Sequence, residues 1–364
     1  MFTGSGETRE EIGKSVAFIG NEEVYASGDI IILRPEDDKY DSKFLGFITN
    51  HDVFKRQTYK VGQGNSVVHI YSSNIEKTEL PIPPLPEQKS IAACLSTWDK
   101  GIEKLTALIE AKKQQKKGLM QQLFNGQLTI NSEQLSIDNG QLSMNNVQLK
   151  RVENEEDGLK GWKEVRLGDI GETFNGLTGK TKDDFGEGKP FVTYLNVFNR
   201  NTIDEETNFD FVKIDEGENQ TKLKYGDLIF TTSSETPDEV GMSSVILFDS
   251  KEDLFLNSFC FGFRLYDFKQ LKPKFAAFIL RGNDFRSEMY KLAQGSTRFN
   301  LSKSGFRKII IKIPSIQEQT AIAEVLSTAD KEIELLEKKL EAMKMQKKGL
   351  MQVLLTGEKR LINN

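Results

Sequence analysis

Cysteine, histidine and tryptophan are nearly absent, at two residues each in a chain of 364. Cys94 and Cys260 lie far apart in sequence, which excludes a disulfide framework or a cysteine knuckle and points to a reducing compartment. His51 and His69 have no companions at metal-ligand spacing, so no metal site is expected. No run of about 18 apolar residues exists, so no membrane span is expected. The start, MFTGSGETRE, carries no basic-then-apolar leader, and the expected location is the cytoplasm. An excess of one charge is missing too. Lys and Arg number 49 against 54 Asp and Glu, a net charge of −5 with a pI near 5.5. That argues against a chain that coats nucleic acid indiscriminately, and leaves room for a local basic face.

Catalytic signatures fail one by one. Gly179-Lys180-Thr181 resembles the end of a phosphate loop, but the glycine required five positions earlier is Phe174. The Asn-Pro-Pro-aromatic signature of DNA amino-methylating enzymes is missing. The stretch "FTGSGET" at Phe2–Thr8 has the Phe-x-Gly-x-Gly form of an S-adenosylmethionine loop, and only a second version of it can decide.

That second version exists, because much of the chain is written twice. "PEQKSIAACLSTWDKGIEKL" from Pro86 matches "QEQTAIAEVLSTADKEIELL" from Gln317, and "KKGLMQ" at 116–121 matches 347–352. The displacement is constant at 231 (318 − 87, 347 − 116). Upstream, Tyr59 pairs with Tyr290 and Gln63-Gly64 with Gln294-Gly295 at the same displacement. Near the start, "FTGSGETREEIGKS" matches "FTTSSETPDEVGMS" at Phe230–Ser243, now displaced by 228 (230 − 2). The second version has Thr232 and Ser234 in place of the glycines that a cofactor-cradling backbone needs. The stretch therefore reads as a polar loop after a strand. Residues 162–229 precede that loop in the second copy and have no match in the first, so the first domain is expected to lack its front half.

The repeated segments read as long helices. Pro86 suits a first turn, with Glu87 and Gln88 behind it, and Ser315-x-x-Glu318 forms a capping box. Ile91, Leu95, Trp98, Ile102, Leu105 and Ile109 form a heptad seam. Ile322, Leu326, Ala329, Ile333, Leu336, Leu340 and Met343 repeat it, with Trp98 expected to face Ala329. Gly126 and Gly357 suit the helix stops. Helices of about 40 residues are about 60 Å long. Paired antiparallel, they would set two globular domains at opposite ends of a rod. Lysine-rich stretches 112–117 and 344–348 lie on them, as a solvated face or as contacts to a phosphate backbone. Between the repeats, leucines at 128, 135, 142 and 149 recur among Asn-Gly pairs, which reads as a low-complexity linker.

The expected architecture is mixed α/β. Two globular α+β domains, the first incomplete, are separated by two long helices that form an antiparallel coiled coil. The boundaries read as 1–84 for the later part of domain one, 85–126 for the first helix and 127–160 for the linker. Residues 161–313 form domain two and 314–358 the second helix. In domain two, "SSVILFD", "NSFCFGFRLYDF" and "RKIIIKIP" read as strands and "PKFAAFILRGNDFRSEMYKLA" as one amphipathic helix. Domain one repeats these in "KSVAFIG", "GDIIILRPE", "KTELPIPP" and "SKFLGFITNHDVFKRQTYKV".

Residues suited to nucleic acid gather on three loops of domain two. One carries Lys180, Lys182, Tyr194, Asn196, Asn199 and Arg200. A second carries Thr231, Thr232, Ser233, Ser234 and Thr236, and a third Gln294, Ser296, Thr297, Arg298, Asn300 and Lys303. In domain one the counterparts are Thr3, Ser5, Gln63, Asn65, Ser66 and His69. The tips differ while the Gln-Gly loop recurs, which suits two readers of different sequences.

The domain order, the "PxxEQ"-type helix entry, "LSTxDK" and "QKKGLMQxLxxGxxRL" resemble the specificity subunit of type I restriction–modification enzymes. The resemblance covers nearly all of the chain. It implies two target-recognition domains, each reading half of a split site in double-stranded DNA. It implies that the helices set the gap between half-sites and dock two methyltransferase subunits, to which restriction subunits attach. The subunit itself would be non-catalytic and hold no cofactor, with S-adenosylmethionine, ATP and magnesium used by its partners. The alternative is a relative that serves as a scaffold or silent cassette without selective DNA contact.

Overall fold

The computed structural model describes residues 1–35, 38–64, 67–130, 137–138, 141–142, 149–152 and 155–361. The elements run β1 (Phe2–Thr3), β2 (Ser5–Gly6), β3 (Ile30–Ile31), α1 (Ser42–Ile48), α2 (Asp52–Val61), β4 (Val68–His69), α3 (Ser72–Ile75) and α4 (Leu85–Phe124). Next come β5 (Leu128–Ile130), β6 (Ile137–Asp138), β7 (Gln141–Leu142), β8 (Leu149–Arg151), α5 (Glu155–Gly158), β9 (Lys163–Arg166), α6 (Leu167–Ile170), β10 (Gly171–Asn175), β11 (Phe185–Val192) and α7 (Tyr194–Asn199). The strands β12 (Thr202–Ile203), β13 (Asp210–Val212), β14 (Leu228–Thr231), β15 (Ser233–Ser234), β16 (Ser243–Ile246), β17 (Phe255–Leu256) and β18 (Cys260–Leu265) follow. The chain ends with α8 (Pro273–Ile279), α9 (Asn283–Leu292), β19 (Ala293–Gln294), β20 (Phe299–Leu301), α10 (Lys303–Phe306), β21 (Ile310–Ile313) and α11 (Ile316–Leu355).

Two compact units divide the chain, Met1–Ala111 with Ile333–Asn364, and Lys112–Glu332. The division cuts through both long helices, so each unit holds a stretch of α4 and a stretch of α11. In the first unit Ile91 and Leu95 pack with Leu354 and Leu355, while Leu105 and Ile109 pack with Ile333 and Leu340. The order of partners makes the pairing antiparallel. Ile102, Leu336 and Met343 flank that seam, and Met343 leaves little room beside Gly101. In the second unit Ile322 and Leu326 enter the main core with Leu119, Met120 and Leu123. Lysines of the two basic stretches brace the helices: Lys347 pairs with Asp99, Lys116 with Asp330 and Lys112 with Glu332. This register sets Trp98 beside the 347 end of α11 and Ala329 beside the 116 end of α4. The expected Trp98–Ala329 facing is therefore corrected. Identical phase along two helices gives facing positions only if they run parallel.

The second unit is built on a five-stranded sheet in the order β10-β18-β14-β16-β12. Its aromatic heart is Phe306, whose ring centroid lies 4.8 Å from Phe230, 5.2 Å from Phe261 and 5.4 Å from Phe263. All four rings are fully buried, and each contributes about 1.5–3 kcal/mol of burial. Strand β21 pairs with β9, ahead of the helix entry. The single helix expected over 273–293 is two helices, α8 and α9, broken at Arg281–Gly282. The break turns the Arg281 guanidinium onto the carbonyls of Ser243, Val197, Phe198 and Arg200 at 2.6–3.1 Å. The helix expected over 42–61 breaks likewise, at Thr49–His51, where Asn50 bonds both the backbone and the hydroxyl of Ser15. Asn50 and Arg281 are repeat counterparts, as are Ser15 and Ser243.

Among its described residues the first unit has the centre of this sheet. Strand β1 pairs with β3 through Phe2↔Ile31, as β14 pairs with β18 through Phe230↔Phe261. The bridge Phe2↔Ser15 reproduces Phe230↔Ser243. "KTELPIPP", expected as a strand, forms none. Its counterpart β21 owes its extended pairing to β9, and Pro81, Pro83 and Pro84 lack donors. Within 127–160, β5 pairs with β8 through Ile130↔Leu149. Leu135 of the expected leucine repeat lies outside the described residues.

Each long helix starts from the same latch. Buried Gln88 accepts from the Asp41 amide and donates to the carbonyls of Lys39 and Pro83, at 2.8–3.0 Å. Gln319, displaced by 231, accepts from the Lys272 amide and donates to Gln270 and Pro314 at 2.7–3.0 Å. Both sets of partners correspond residue by residue.

Candidate nucleic-acid interface

The polar loops read from the sequence meet in a small three-stranded sheet of the second unit, in the order β15-β20-β19. Ser233 stands opposite Asn300 and Ser234 opposite Phe299, while Gln294 flanks Asn300 on the other side. The Leu301 amide donates to the Thr232 carbonyl at 3.0 Å, which fixes the join. The reversal between β19 and β20 depends on Gly295, at φ +143. A Cβ there would stand 2.1 Å from the Arg298 carbonyl oxygen, so a side chain is excluded by backbone. Gln294, Ser296, Thr297, Arg298 and Asn300 are consequently held at an exposed tip.

The loop carrying Tyr194 joins from the side. The Tyr194 hydroxyl donates to the Ser233 carbonyl at 3.0 Å, and its ring stacks on Phe198 at 6.0 Å. Burial raises the phenol above its ordinary pKa of 10.0, so it remains a donor at neutral pH. Arg298 donates Nε to the Ser233 hydroxyl at 3.3 Å and lies 5.6 Å from the Phe259 ring centroid. A cavity of about 540 Å³ lies between Tyr194, Leu195, Phe198, Phe259 and Arg298, with Glu235 and Glu239 on its rim. Lys303 donates to Asn175 and lies 5.8 Å from the Phe261 ring centroid. Burial lowers its pKa from 10.5.

The remaining candidates serve the chain's own backbone or stand elsewhere. Thr231 is fully buried, and its hydroxyl accepts from the Met242 amide at 3.0 Å. Asn196 caps α7 through the Thr193 amide and also reaches the Asn208 carbonyl. Buried Ser234 donates to Glu239 at 2.9 Å. Lys180 pairs with Glu218 at 2.5 Å, and that lysine with Gln220 holds the carboxylate at about 2. Lys182 opens a short 3-10 turn beside it. Arg200, at the end of α7 after Asn199, lies 3.8 Å from Asp204. Thr236 is exposed at the loop edge. Sequence reading missed Phe259 and Leu195, both exposed apolar residues against this cavity. Phe259 shares the parity of buried Phe261 and Phe263, so alternation alone sends it inward. Only its place in the turn before β18 brings it out.

The first unit repeats the joint. Ser5 stands opposite His69 through β2 and β4, and the Ile70 amide donates to the Gly4 carbonyl at 2.8 Å. Gly64, at φ +120, would bring a Cβ 1.9 Å from the Val67 carbonyl oxygen. Gln63 and His69 exchange backbone bonds of 3.0 and 2.7 Å, and the His69 ring stacks on Tyr71. Thr3 donates to the Glu11 carbonyl and Ser5 to Asp29. Asn65 and Ser66 lie outside the described residues. Among the described residues there is no cluster of His, Cys, Asp or Glu fit to hold a metal, and no helix long and apolar enough to cross a membrane.

Fold and site together define a duplicated α/β protein whose two copies each pair a polar hairpin with a latched long helix. The family model for the type I restriction modification DNA specificity domain matches residues 7–114 and 159–345, one stretch for each copy. The chain belongs to that family, the specificity subunits of type I restriction–modification systems. It is 27% identical to the type I restriction enzyme MjaVIII specificity subunit of Methanocaldococcus jannaschii, over 90% of this chain and 71% of that one. The putative MjaX specificity subunit of the same organism is 25% identical over 97% and 77%. A solved structure from work on complex assembly and conformational transition of the type I R-M system shares the fold. It has a TM-score of 0.50 and 16% identity, over 87% of this chain and 72% of that one.

Proposed function

We propose that the chain directs a type I restriction–modification complex to DNA, with the β15-β20-β19 tip of the second domain as its principal reader. One observation carries this reading. Three sequence-distant loops converge on Ser233 and present Gln294, Thr297, Arg298 and Asn300 together at an exposed, glycine-shaped turn. Arg is suited to guanine and Asn to adenine in the major groove, each pairing discriminating by about 1–3 kcal/mol. Lys182, Asn199 and Arg200 contribute phosphate contacts, which position without specifying. The Ser5–His69 joint of the first domain carries a second, different tip.

The helices dock methyltransferase subunits, through which restriction subunits attach. Exposed Leu108, Leu335 and Met345 supply apolar anchors for that contact. The chain performs no chemistry and works in the cytoplasm, and S-adenosylmethionine, ATP and magnesium belong to its partners. An adenine-methylation map of DNA exposed to this chain with its cognate methyltransferase tests the reading. A defined motif is expected. Assembly of the complex without methylation at any motif would leave a scaffold instead.

A further inference from the structure

One backbone joint is built alike in both copies and carries different side chains. The Thr232 amide donates to the Phe259 carbonyl at 2.9 Å, and in the first unit the Gly4 amide donates to the Asp29 carbonyl at 2.7 Å. The strand registers agree, since Phe230 faces Phe261 as Phe2 faces Ile31. Phe259 therefore stands where the first copy has Asp29. The joint fixes the backbone and leaves the side chain free. The Phe259 amide is tied as well, donating to the Asn257 side chain at 2.8 Å, and its ring is held out, 55% exposed. Leu195 is held out by another route. In the first turn of α7, Tyr194 is pinned to the Ser233 carbonyl and Val197 is fully buried, so the helical phase sends Leu195 outward, 65% exposed. Both side chains line the cavity of about 540 Å³ beside Arg298.

Charge and position say what these side chains meet. Arg298 spends Nε on the Ser233 hydroxyl and rests 5.6 Å from the Phe259 ring centroid, which leaves its two terminal nitrogens for a base edge. The rim sets the carboxylates of Glu235 and Glu239 against that one guanidinium. A phosphate is then a poor occupant, and an uncharged apolar group a good one. The apolar group that a base edge offers in the major groove is the C5 methyl of thymine. We infer that Leu195 and Phe259 determine specificity: they form an apolar wall that receives the methyl group of a thymine next to the base contacted by Arg298. This role rests on the DNA-reading function proposed above and adds one named base to it. Fixed backbone holds both side chains, so the wall is formed before DNA arrives.

The test uses the complex assembled with its methyltransferase and duplexes carrying the mapped motif. Each thymine of the motif is replaced singly by deoxyuridine, which removes the methyl group alone, and competition binding is the readout. In the wild type one replacement should weaken binding about fourfold, the worth of burying one methyl group. That thymine should lie next to the pair that Arg298→Ala makes degenerate. The same replacement should be nearly neutral in Leu195→Ala and in Phe259→Ala. Leu195 is exposed, so its variant keeps the fold whatever Phe259→Ala does. An unchanged penalty in Leu195→Ala and in a folded Phe259→Ala, or sensitivity only away from the Arg298 pair, would overturn the wall. Wild-type indifference to every replacement, with the motif still degenerate in Arg298→Ala, would overturn the wall and leave DNA reading by the tip standing. A motif indifferent to Arg298→Ala as well would overturn both.

Discussion

Ser5 faces His69 in the first copy as Ser233 faces Asn300 in the second, and Gln88 holds the partners of Gln319 displaced by 231. The joints are the same, while the tips differ. Joints obey backbone constraints that both copies share: a left-handed glycine before a tight turn and a buried amide that satisfies a helix entry. The second copy's tip faces outward, where residues are free to change, and its sequence differs from that of the first.

Core size should separate the copies most. Phe306 sits among four phenylalanines, and its counterpart Ile75 in a smaller cluster. Phe306→Ala should cost about 4 kcal/mol and Ile75→Ala about 2–3 kcal/mol, read as local stability by hydrogen exchange in each unit. Equal losses would break the comparison. Next comes the helix break. Arg281, held near 10 by burial yet still charged at neutral pH, serves four carbonyls, whereas Asn50 serves Ser15 and Gly46. Arg281→Ala should destabilise α7 and β16 by about 3 kcal/mol, and Asn50→Ala its own unit by about 1 kcal/mol. The latches should not separate the copies. Gln88→Ala and Gln319→Ala should each cost about 2 kcal/mol, because each orphans three backbone groups.

The smallest contrast is in pH dependence. Bidentate Arg360 holds Glu87 below the ordinary 4.5, whereas burial raises its counterpart Glu318. Stability from Glu87 is present above pH 4.5 and lost as pH falls through its lowered folded value. Glu318 has the opposite sign: the fold keeps a proton that the unfolded chain has released, so stability declines as pH rises through 4.5 toward the raised value. At pH 7, Glu87→Gln should lower the melting temperature and Glu318→Gln should raise it slightly.

Much of this was legible in the sequence. The constant displacement of 231, the heptad positions and the Ser315–Glu318 box gave the helices, and Ser315 accepts from the Glu318 amide at 3.3 Å. The Gln-Gly turn was visible because a glycine whose Cβ would stand 1.9–2.1 Å from a carbonyl oxygen must recur wherever the turn does. Antiparallel facing was missed, since a seam shows phase and not direction. The duties of Thr231, Asn196 and Lys180 were hidden as well. A polar side chain reads the same whether it caps its own backbone or faces solvent. Helix breaks at Asn50 and Arg281 escaped because the amphipathic period continues through them.

The most direct measurement is the methylation motif of the assembled complex, wild type against Arg298→Ala with Asn300→Ala. If the second tip reads DNA, one half of the wild-type motif should become degenerate while the other half is retained. An unchanged motif at unchanged efficiency would contradict the account and remove the β15-β20-β19 tip from recognition.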